Sequence, residues 1–445
     1  MAVAVASVRN RDGSAAFNVT GIDLPTEEGR WRIAAIGDGR FPFETKDESL
    51  RRAAAESADM GNLQATDDPD AMLNADVVVV DINLDVDRSS YMPRVDLDAF
   101  RRAVCSIGQR IQRETLVLIE TTVPPGTCDN VVVPLLQSIF EKRGINPDDL
   151  LLAHSYERVM PGREYLRSIT HYWRVYAGRT AGTADACEEF LSQLIDTDEY
   201  PLTRLDSLVS SETAKVMENS YRATNIAFVE EWGRFAEAAG FDLFQVIDAI
   251  RMRPTHENLR QPGFGVGGYC LTKDPLLAGI GARDLIGCPN LTFPFSEQAV
   301  RTNEEMPLVS LERLQKLLGG TLTDKRILVM GVTYRQDVAD TRYSPSETFV
   351  LEAKRRGGEV LACDPLLDHW PELRMHVLTA PPPAGSIDGV VFAVSHEEFR
   401  SLDLAVWLAD AQPAILDANN VLTSKQRAAA IAAGCNFAAV GRGCV

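Results

Sequence analysis

Residues 263–275 read GFGVGGYCLTKDP, and the chemistry-bearing side chains of the chain concentrate there. Glycines 263, 265, 267 and 268 precede Cys270, so the backbone at Gly267 and Gly268 is free to adopt positive φ and to pass close to a substrate. Lys273 and Asp274 follow the thiol within one turn. An ammonium beside a cysteine favours the thiolate, and a carboxylate there can manage a proton or a water. An isolated cysteine is most often a small core hydrophobe; the glycine cluster with Lys273 and Asp274 reverses that weighting and points to a nucleophilic thiol with its own acid–base group.

Four other segments carry candidate residues. In SETAKVMENSYRATNIA (211–227) Lys215 and Asn219 are four apart, hence on one face of a helix, where such a pair is ordinarily a solvated face. ETTVPPGT (120–127) places Thr122 before a proline turn. SYERVMPG (155–162) places Glu157 and Arg158 just past a strand. Asp23 closes FNVTGID (17–23), where a dinucleotide fold puts the acidic residue that binds the adenosine ribose, although an aspartate there can equally cap a helix.

The elements that must position these residues alternate along the chain. FNVTGID, ADVVVVDINL (75–84), TLVLIETTV (115–123), DLLLAH (149–154) and YWRVYAG (172–178) are apolar runs without polar alternation, the pattern of parallel strands buried on both faces. Residues 210–240 contain no proline, end on glycine and hold apolar positions at helical spacing, which predicts one long helix. Further helix follows to about 260 and across 296–317. A second series runs through KRILVMGV (325–332), a helix over 345–356, GEVLACDP (358–365), GVVFAVSH (389–396), AILDANN (414–420) and NFAAVG (436–441). The predicted fold is α/β: two Rossmann-like doubly wound parallel-sheet domains joined by a central long-helix dimerisation domain. Boundaries fall at 1–206, 207–310 and 311–445.

Composition narrows the partners. With 45 basic and 63 acidic residues the net charge is −18, which disfavours nucleic acid or an anionic membrane as a main partner. Eight cysteines without a CxxC pair or regular spacing indicate reduced thiols rather than a disulfide framework or a zinc site. The apolar start is about seven residues long, too short for a signal or a membrane span, so a cytoplasmic location is expected.

On these motifs the chain resembles the UDP-glucose/GDP-mannose dehydrogenases over nearly its whole length. The resemblance implies an NAD-dependent, four-electron oxidation of the C6 alcohol of a UDP-sugar to the uronate. It implies Cys270 as nucleophile with Asp274 assisting, Lys215 and Asn219 holding a water and stabilising the oxyanion, and Thr122 beside the active site. Glu157 would assist thioester hydrolysis while its loop, with Arg158, touches substrate. Asp23, Thr122 and Lys273 fall on the cofactor side; Arg335 and Arg342, in GVTYRQDVADTRYSP (331–345), face the UDP. The long helix would build a homodimer, with Arg251 or Arg253 reaching the neighbour's substrate.

The sequence also departs from the family pattern. DINLDVD (81–87) stands where a VPTP turn is usual, and Asn419 replaces an arginine. No strand followed by GxGxxG precedes Asp23, since MAVAVASVRN reads as the helix that follows such a turn. The expectation is that the natural product starts upstream, that Met1 is an internal methionine, and that the 445-residue form binds NAD poorly or is unstable. Two alternatives stay open: a silent nucleotide-sugar binding protein, and a two-electron hydroxyacid dehydrogenase of related fold. The sugar is undecided between UDP-N-acetylhexosamine and UDP-glucose.

Overall fold

Short aliphatic runs form the strands of the first of two compact units, Met1–Glu218 with Leu276–Phe293. They are Val19–Ile22 (β1), Leu63–Thr66 (β2), Val77–Val80 (β3), the hairpin Val86–Asp87 (β4) and Arg94–Val95 (β5), Leu116–Ile119 (β6), Leu151–Tyr156 (β7), Val175–Gly178 (β8) and Thr203–Arg204 (β9). The computed structural model describes every residue except Glu44, Tyr91, Pro161, Cys444 and Val445. Cys444, one of the eight thiols, and Pro161 of the ERVMPG stretch therefore lie outside the described residues.

β3, β6, β7, β8 and β9 form one sheet in that order. All four residues of β6 are buried, as its unbroken apolar sequence requires of a central strand. β1 and β2 pair in parallel as a separate two-stranded sheet, Val19 opposite Leu63 and Ile22 opposite Thr66. Val19 of β1 and Val77 and Val79 of β3 pack on the same apolar cluster as Ala4 and Val5. Among the described residues no strand pairs with both β1 and β3. The expectation of a wholly parallel sheet needs one correction, because β7 and β8 are antiparallel. Among the described residues, their connection, 157–174, holds only the six-residue helix Tyr165–Thr170, whereas a parallel return ordinarily runs through a full crossover helix. An apolar run reports burial and carries no information about direction.

The second unit comprises Asn219–Pro275 and Pro294–Val445. Its strands are Arg326–Met330 (β10), Glu359–Cys363 (β11), His369–Trp370 (β12), Met375–Leu378 (β13), Gly389–Phe392 (β14), Ala414–Asp417 (β15) and Phe437–Ala439 (β16). The order is β12-β13-β11-β10-β14-β15-β16, parallel except for β12. The chain winds outward from β10 in one direction and then resumes at β14 in the other, so the topological switch point lies between β10 and β14. Ile327, Val329, Phe349, Val391 and Leu416 fill the core on one face, and Leu328, Met330, Phe392 and Ile415 on the other.

Leu208–Ala239 is one helix of 32 residues, about 48 Å long at 1.5 Å per residue. It begins in the first unit and ends in the second, where the sequence reading set a separate central domain.

Candidate active site

In doubly wound sheets ligands bind outside the carboxyl ends of the strands, and the candidates of the first unit stand there: Asp23 after β1, Thr122 after β6, Glu157 and Arg158 after β7. The turn after β6 is fixed by its own hydrogen bonds. Thr121 Oγ1 accepts from Ile82 N at 2.8 Å and donates to Val80 O at 3.2 Å, tying β6 to β3. Thr127 Oγ1 donates to Pro124 O at 2.6 Å. Gly126, at φ +95°, has Asn130 Nδ2 and Ile286 Cγ1 3.2 Å from where a Cβ would sit, so both conformation and space require glycine.

Lys215 is buried and donates from Nζ to Glu157 O at 2.9 Å, with Glu157 Oε1 at 3.7 Å. The ammonium also lies 5.4 Å from the centre of the Tyr156 ring. Arg158 is held by Glu218 Oε2 at 2.9 Å and Trp173 O at 2.7 Å, and donates to Tyr156 Oη at 3.1 Å. Beneath these ends His154 is fully buried with Nδ1 2.8 Å from Ser211 Oγ. Desolvation pushes its pKa down to about 3, which keeps the ring neutral. Glu120 and Arg174 form a buried ion pair, and desolvation raises the Glu120 carboxyl.

The second unit holds the cysteine segment. Cys270 is exposed and forms no disulfide. Its carbonyl accepts from Lys273 N at 3.2 Å and Asp274 N at 2.9 Å, closing a tight turn into the helix Asp274–Asp284. Asp274 is fully buried and doubly held: Asn219 Nδ2 donates to Oδ2 at 2.7 Å and Lys273 Nζ to Oδ1 at 2.7 Å. Lys273, 4.4 Å from the centre of the Tyr269 ring, thus directs its ammonium at the carboxylate, where the sequence reading aimed it at the thiol. Asn219 lies one helical turn beyond Lys215 on the long helix.

The glycines before Cys270 serve packing in this unit. A Cβ at Gly267 would meet Tyr334 Cβ at 2.7 Å and one at Gly268 the Tyr334 ring at 2.8 Å. Gly263 leaves room for Asn419 Oδ1, 2.6 Å from its hypothetical Cβ, and Asn419 in turn donates to Ala393 O at 2.9 Å. Arg335 and Arg342 are exposed in the loop after β10, and Arg342 pairs with Asp340 at 2.7 Å. Under that loop Asp364 accepts from Val332 N, Thr333 N and His396 Nε2 at 2.9, 3.1 and 3.1 Å. Arg253 is exposed beside Arg251; burial and the neighbouring Arg222 and Arg251 cations push the Arg260 guanidinium down.

The sequence reading missed Glu212, Glu218, the Glu120–Arg174 pair and Asp364. Glu212 stands inside the SETAK stretch, three residues before Lys215, and nothing in the sequence sets it apart from a solvated helix charge.

Doubly wound sheets of this kind are shared by many nucleotide-binding proteins, so the fold by itself does not choose a reaction. Asp23 stands just past the carboxyl end of β1, with its carboxylate 3.1 Å from Arg32. No strand–glycine turn–helix unit for the pyrophosphate precedes β1 among the described residues, where Met1 stands at the N-cap position of the helix Ala2–Ala6 without a side-chain cap hydrogen bond. No group of His, Cys, Asp and Glu among the described residues could hold a metal ion, and no described helix is long and apolar enough to cross a membrane.

Comparison with known proteins gives the family. Residues 9–194 match the NAD binding domain, 209–305 the central domain and 328–424 the UDP binding domain of the UDP-glucose/GDP-mannose dehydrogenase family. The chain belongs to that family, the NAD-dependent nucleotide-sugar dehydrogenases. It is 26% identical to UDP-N-acetyl-D-mannosamine dehydrogenase of Pyrococcus horikoshii over 434 residues, 97% of this chain and 95% of the relative. It is 26% identical to UDP-N-acetyl-D-glucosamine 6-dehydrogenase of Pseudomonas aeruginosa over 392 residues, 86% of this chain and 89% of the relative. The solved structure of UDP-D-ManNAc dehydrogenase from Pyrococcus horikoshii superposes with a TM-score of 0.83 at 25% identity, covering 100% of this chain and 96% of that one.

Proposed function

We propose that this chain oxidises the C6 alcohol of a UDP-N-acetylhexosamine to the carboxylate, a four-electron reaction carried by a thioester on Cys270. The observation that carries the reading is the Cys270 turn, in which an exposed thiol sits four residues before an aspartate fully buried between Asn219 and Lys273. NAD, when bound, takes up a hydride in each of the two oxidations. Asp274, through a water held at Lys215 and Asn219, accepts the proton of the C6 hydroxyl. The Cys270 sulfur adds to the aldehyde carbon as a thiohemiacetal, whose oxidation leaves the thioester; water activated at Glu157 or Asp274 then releases the acid. Lys215 and Asn219 stabilise the developing oxyanion, where one lost donor typically costs about 10²–10³-fold in rate. Asp23 and Thr122 belong to the cofactor side, and Lys273 holds Asp274 in an ion pair at 2.7 Å. Arg158, Gly267, Gly268, Arg335 and Arg342 belong to the sugar-nucleotide side.

The division into 1–206, 207–310 and 311–445 follows these tasks. We also propose a homodimer in the cytoplasm, built on the exposed aromatic face of the long helix: Tyr221, Phe228, Trp232 and Phe235 are each about half exposed, a stripe that a soluble monomer rarely leaves bare. Arg253, exposed two residues beyond Arg251, would reach the partner's substrate. A panel of UDP- and GDP-sugars supplied with NAD tests the substrate class by NADH formation. Turnover confined to UDP-N-acetylhexosamines is expected; a preference for UDP-glucose or a GDP-sugar would overturn the assignment.

A further inference from the structure

Glu212 takes no part in the chemistry proposed above, yet it is 1% exposed and its carboxylate is fully used. From the first turns of the long helix, Oε2 accepts from Gly126 N at 2.6 Å and Oε1 from Cys128 N at 2.7 Å. Cys128 N is the first amide of the helical run Cys128–Val132, continued by Val133–Lys142, whose N-cap Thr127 makes no side-chain cap hydrogen bond, and Gly126 N stands just before that cap. The first amides of a helix have no intrahelical partner and attract negative charge. Glu212 therefore caps this helix from 84 residues away in sequence.

The same turn of the long helix bears Lys215, which binds the Glu157 carbonyl after β7. A single helical turn thereby grips the ends of two neighbouring strands, β6 through Glu212 and β7 through Lys215. The gripped segment is short: Thr122 lies four residues before Gly126, with Val123, Pro124 and Pro125 buried between them. Two prolines stiffen that link, so a displacement of Gly126 is passed to Thr122 and not absorbed on the way.

We propose that Glu212 is a positioning residue which locks the 122–128 turn in register with Lys215 and so sets where Thr122 stands in the reaction. The last link rests on the dehydrogenase reading above; the lock itself does not. Burial raises the Glu212 carboxyl to about 7. The titratable groups facing it are the Cys128 thiol, which burial holds far above its ordinary range as a neutral SH, and Asp129, also raised by burial. Along its own helix stand Ser211, bonded to the neutral His154, and Lys215. Because its pKa is raised in the folded site, the protonated form of Glu212 favours the closed turn, and that contribution is lost as pH rises through 7.

Hydrogen exchange on the full chain tests the lock without reference to activity. Peptides spanning 120–132 are followed by mass spectrometry from pH 6 to 8.5, corrected for intrinsic rates, in wild type, Glu212→Gln and Glu212→Asp. Wild type should gain about tenfold in protection as pH falls through 7. Glu212→Gln should exchange about tenfold faster at pH 8 and show no pH step, because an amide keeps one acceptor and cannot titrate. Glu212→Asp, which restores the charge on a shorter arm, should recover part of the protection and the pH step, and it serves as the comparison if the glutamine variant folds poorly. Equal protection in wild type and both variants at every pH would overturn the proposal. NAD-dependent turnover is measured in parallel. Wild-type turnover should show an inflection near pH 7 that Glu212→Gln lacks, with little change in KM for the nucleotide sugar. Exchange as expected but no turnover by wild type would sink the dehydrogenase reading and leave the lock standing; turnover whose inflection near pH 7 is unaltered in Glu212→Gln would remove Thr122 positioning.

Discussion

Replacing Lys273 with methionine strands a buried carboxylate, and the size of the effect can be worked out from its neighbours. Lys273 and Asp274 are buried, with Nζ 2.7 Å from Oδ1. Removing one partner of a buried ion pair costs about 3–5 kcal/mol, most of it from the charge left behind. Asp274 keeps the Asn219 hydrogen bond at 2.7 Å and its place in the first turn of the helix Asp274–Asp284. Charge-assisted hydrogen bonds and helix dipoles each contribute about 1–2 kcal/mol, so the expected loss for Lys273→Met is at the low end, about 3 kcal/mol. Asp274→Asn strands the ammonium instead, but the Tyr269 ring 4.4 Å away shields part of it, giving about 2 kcal/mol. The double variant removes both charges and keeps an amide oxygen for Asn219, so it should cost no more than about 2 kcal/mol, a coupling near 3 kcal/mol. Equilibrium urea denaturation of the four proteins, compared at constant m-value, measures this cycle. Additivity within about 0.5 kcal/mol would refute the reasoning, since it would mean that the two side chains do not share one buried site.

Three other outcomes are expected. Cys270→Ser should still bind the UDP-sugar in calorimetry but form no acid over many turnovers, because a hydroxyl without an adjacent base is a poor nucleophile; unchanged turnover would remove the thiol from the mechanism. Trp232→Glu should shift the chain from dimer to monomer in sedimentation velocity at micromolar concentration, and a dimer in the variant would place the interface elsewhere. Stability should peak in mildly acidic solution. Burial raises Glu212 and Glu230 to about 7, so their protonated forms favour the fold at low pH and that contribution is lost as pH rises through 7. His154, lowered to about 3, acts in the opposite sense: its neutral form favours the fold above its ordinary 6.5, and this is lost as pH falls toward 3. Melting temperatures across pH 5–9 check this, and a monotonic rise through pH 9 would contradict it.

How far the sequence carried the reading depended on what each residue must do. Unbroken runs such as Leu116–Ile119 announce buried strands because no other element of that length hides both faces. Leu63–Thr66 was not legible, since LQAT is half polar and gains its strand state only by pairing with β1. The direction of β8 was likewise invisible, as an apolar run looks the same either way round. In the site, the spacing of Lys215 and Asn219 and the glycine-rich approach to Cys270 are visible because spacing and residue type survive in one dimension. What the ammonium of Lys273 faces is not, because one rotamer decides between thiol and carboxylate. Glu212 reads as one more charge on a solvated helix; its role exists only once the chain from Gly126 to Cys128 has been folded against it.

The central claim, that one chain performs two successive oxidations through Cys270, is tested most directly by product stoichiometry. The purified protein is incubated with UDP-N-acetyl-mannosamine and excess NAD, NADH is followed by absorbance, and the sugar product is quantified by mass spectrometry. The account predicts two NADH per uronate, no free aldehyde, and a Cys270 adduct that accumulates during the first turnover. One NADH per product, with the sugar halted at the two-electron stage and Cys270 unmodified, would contradict it.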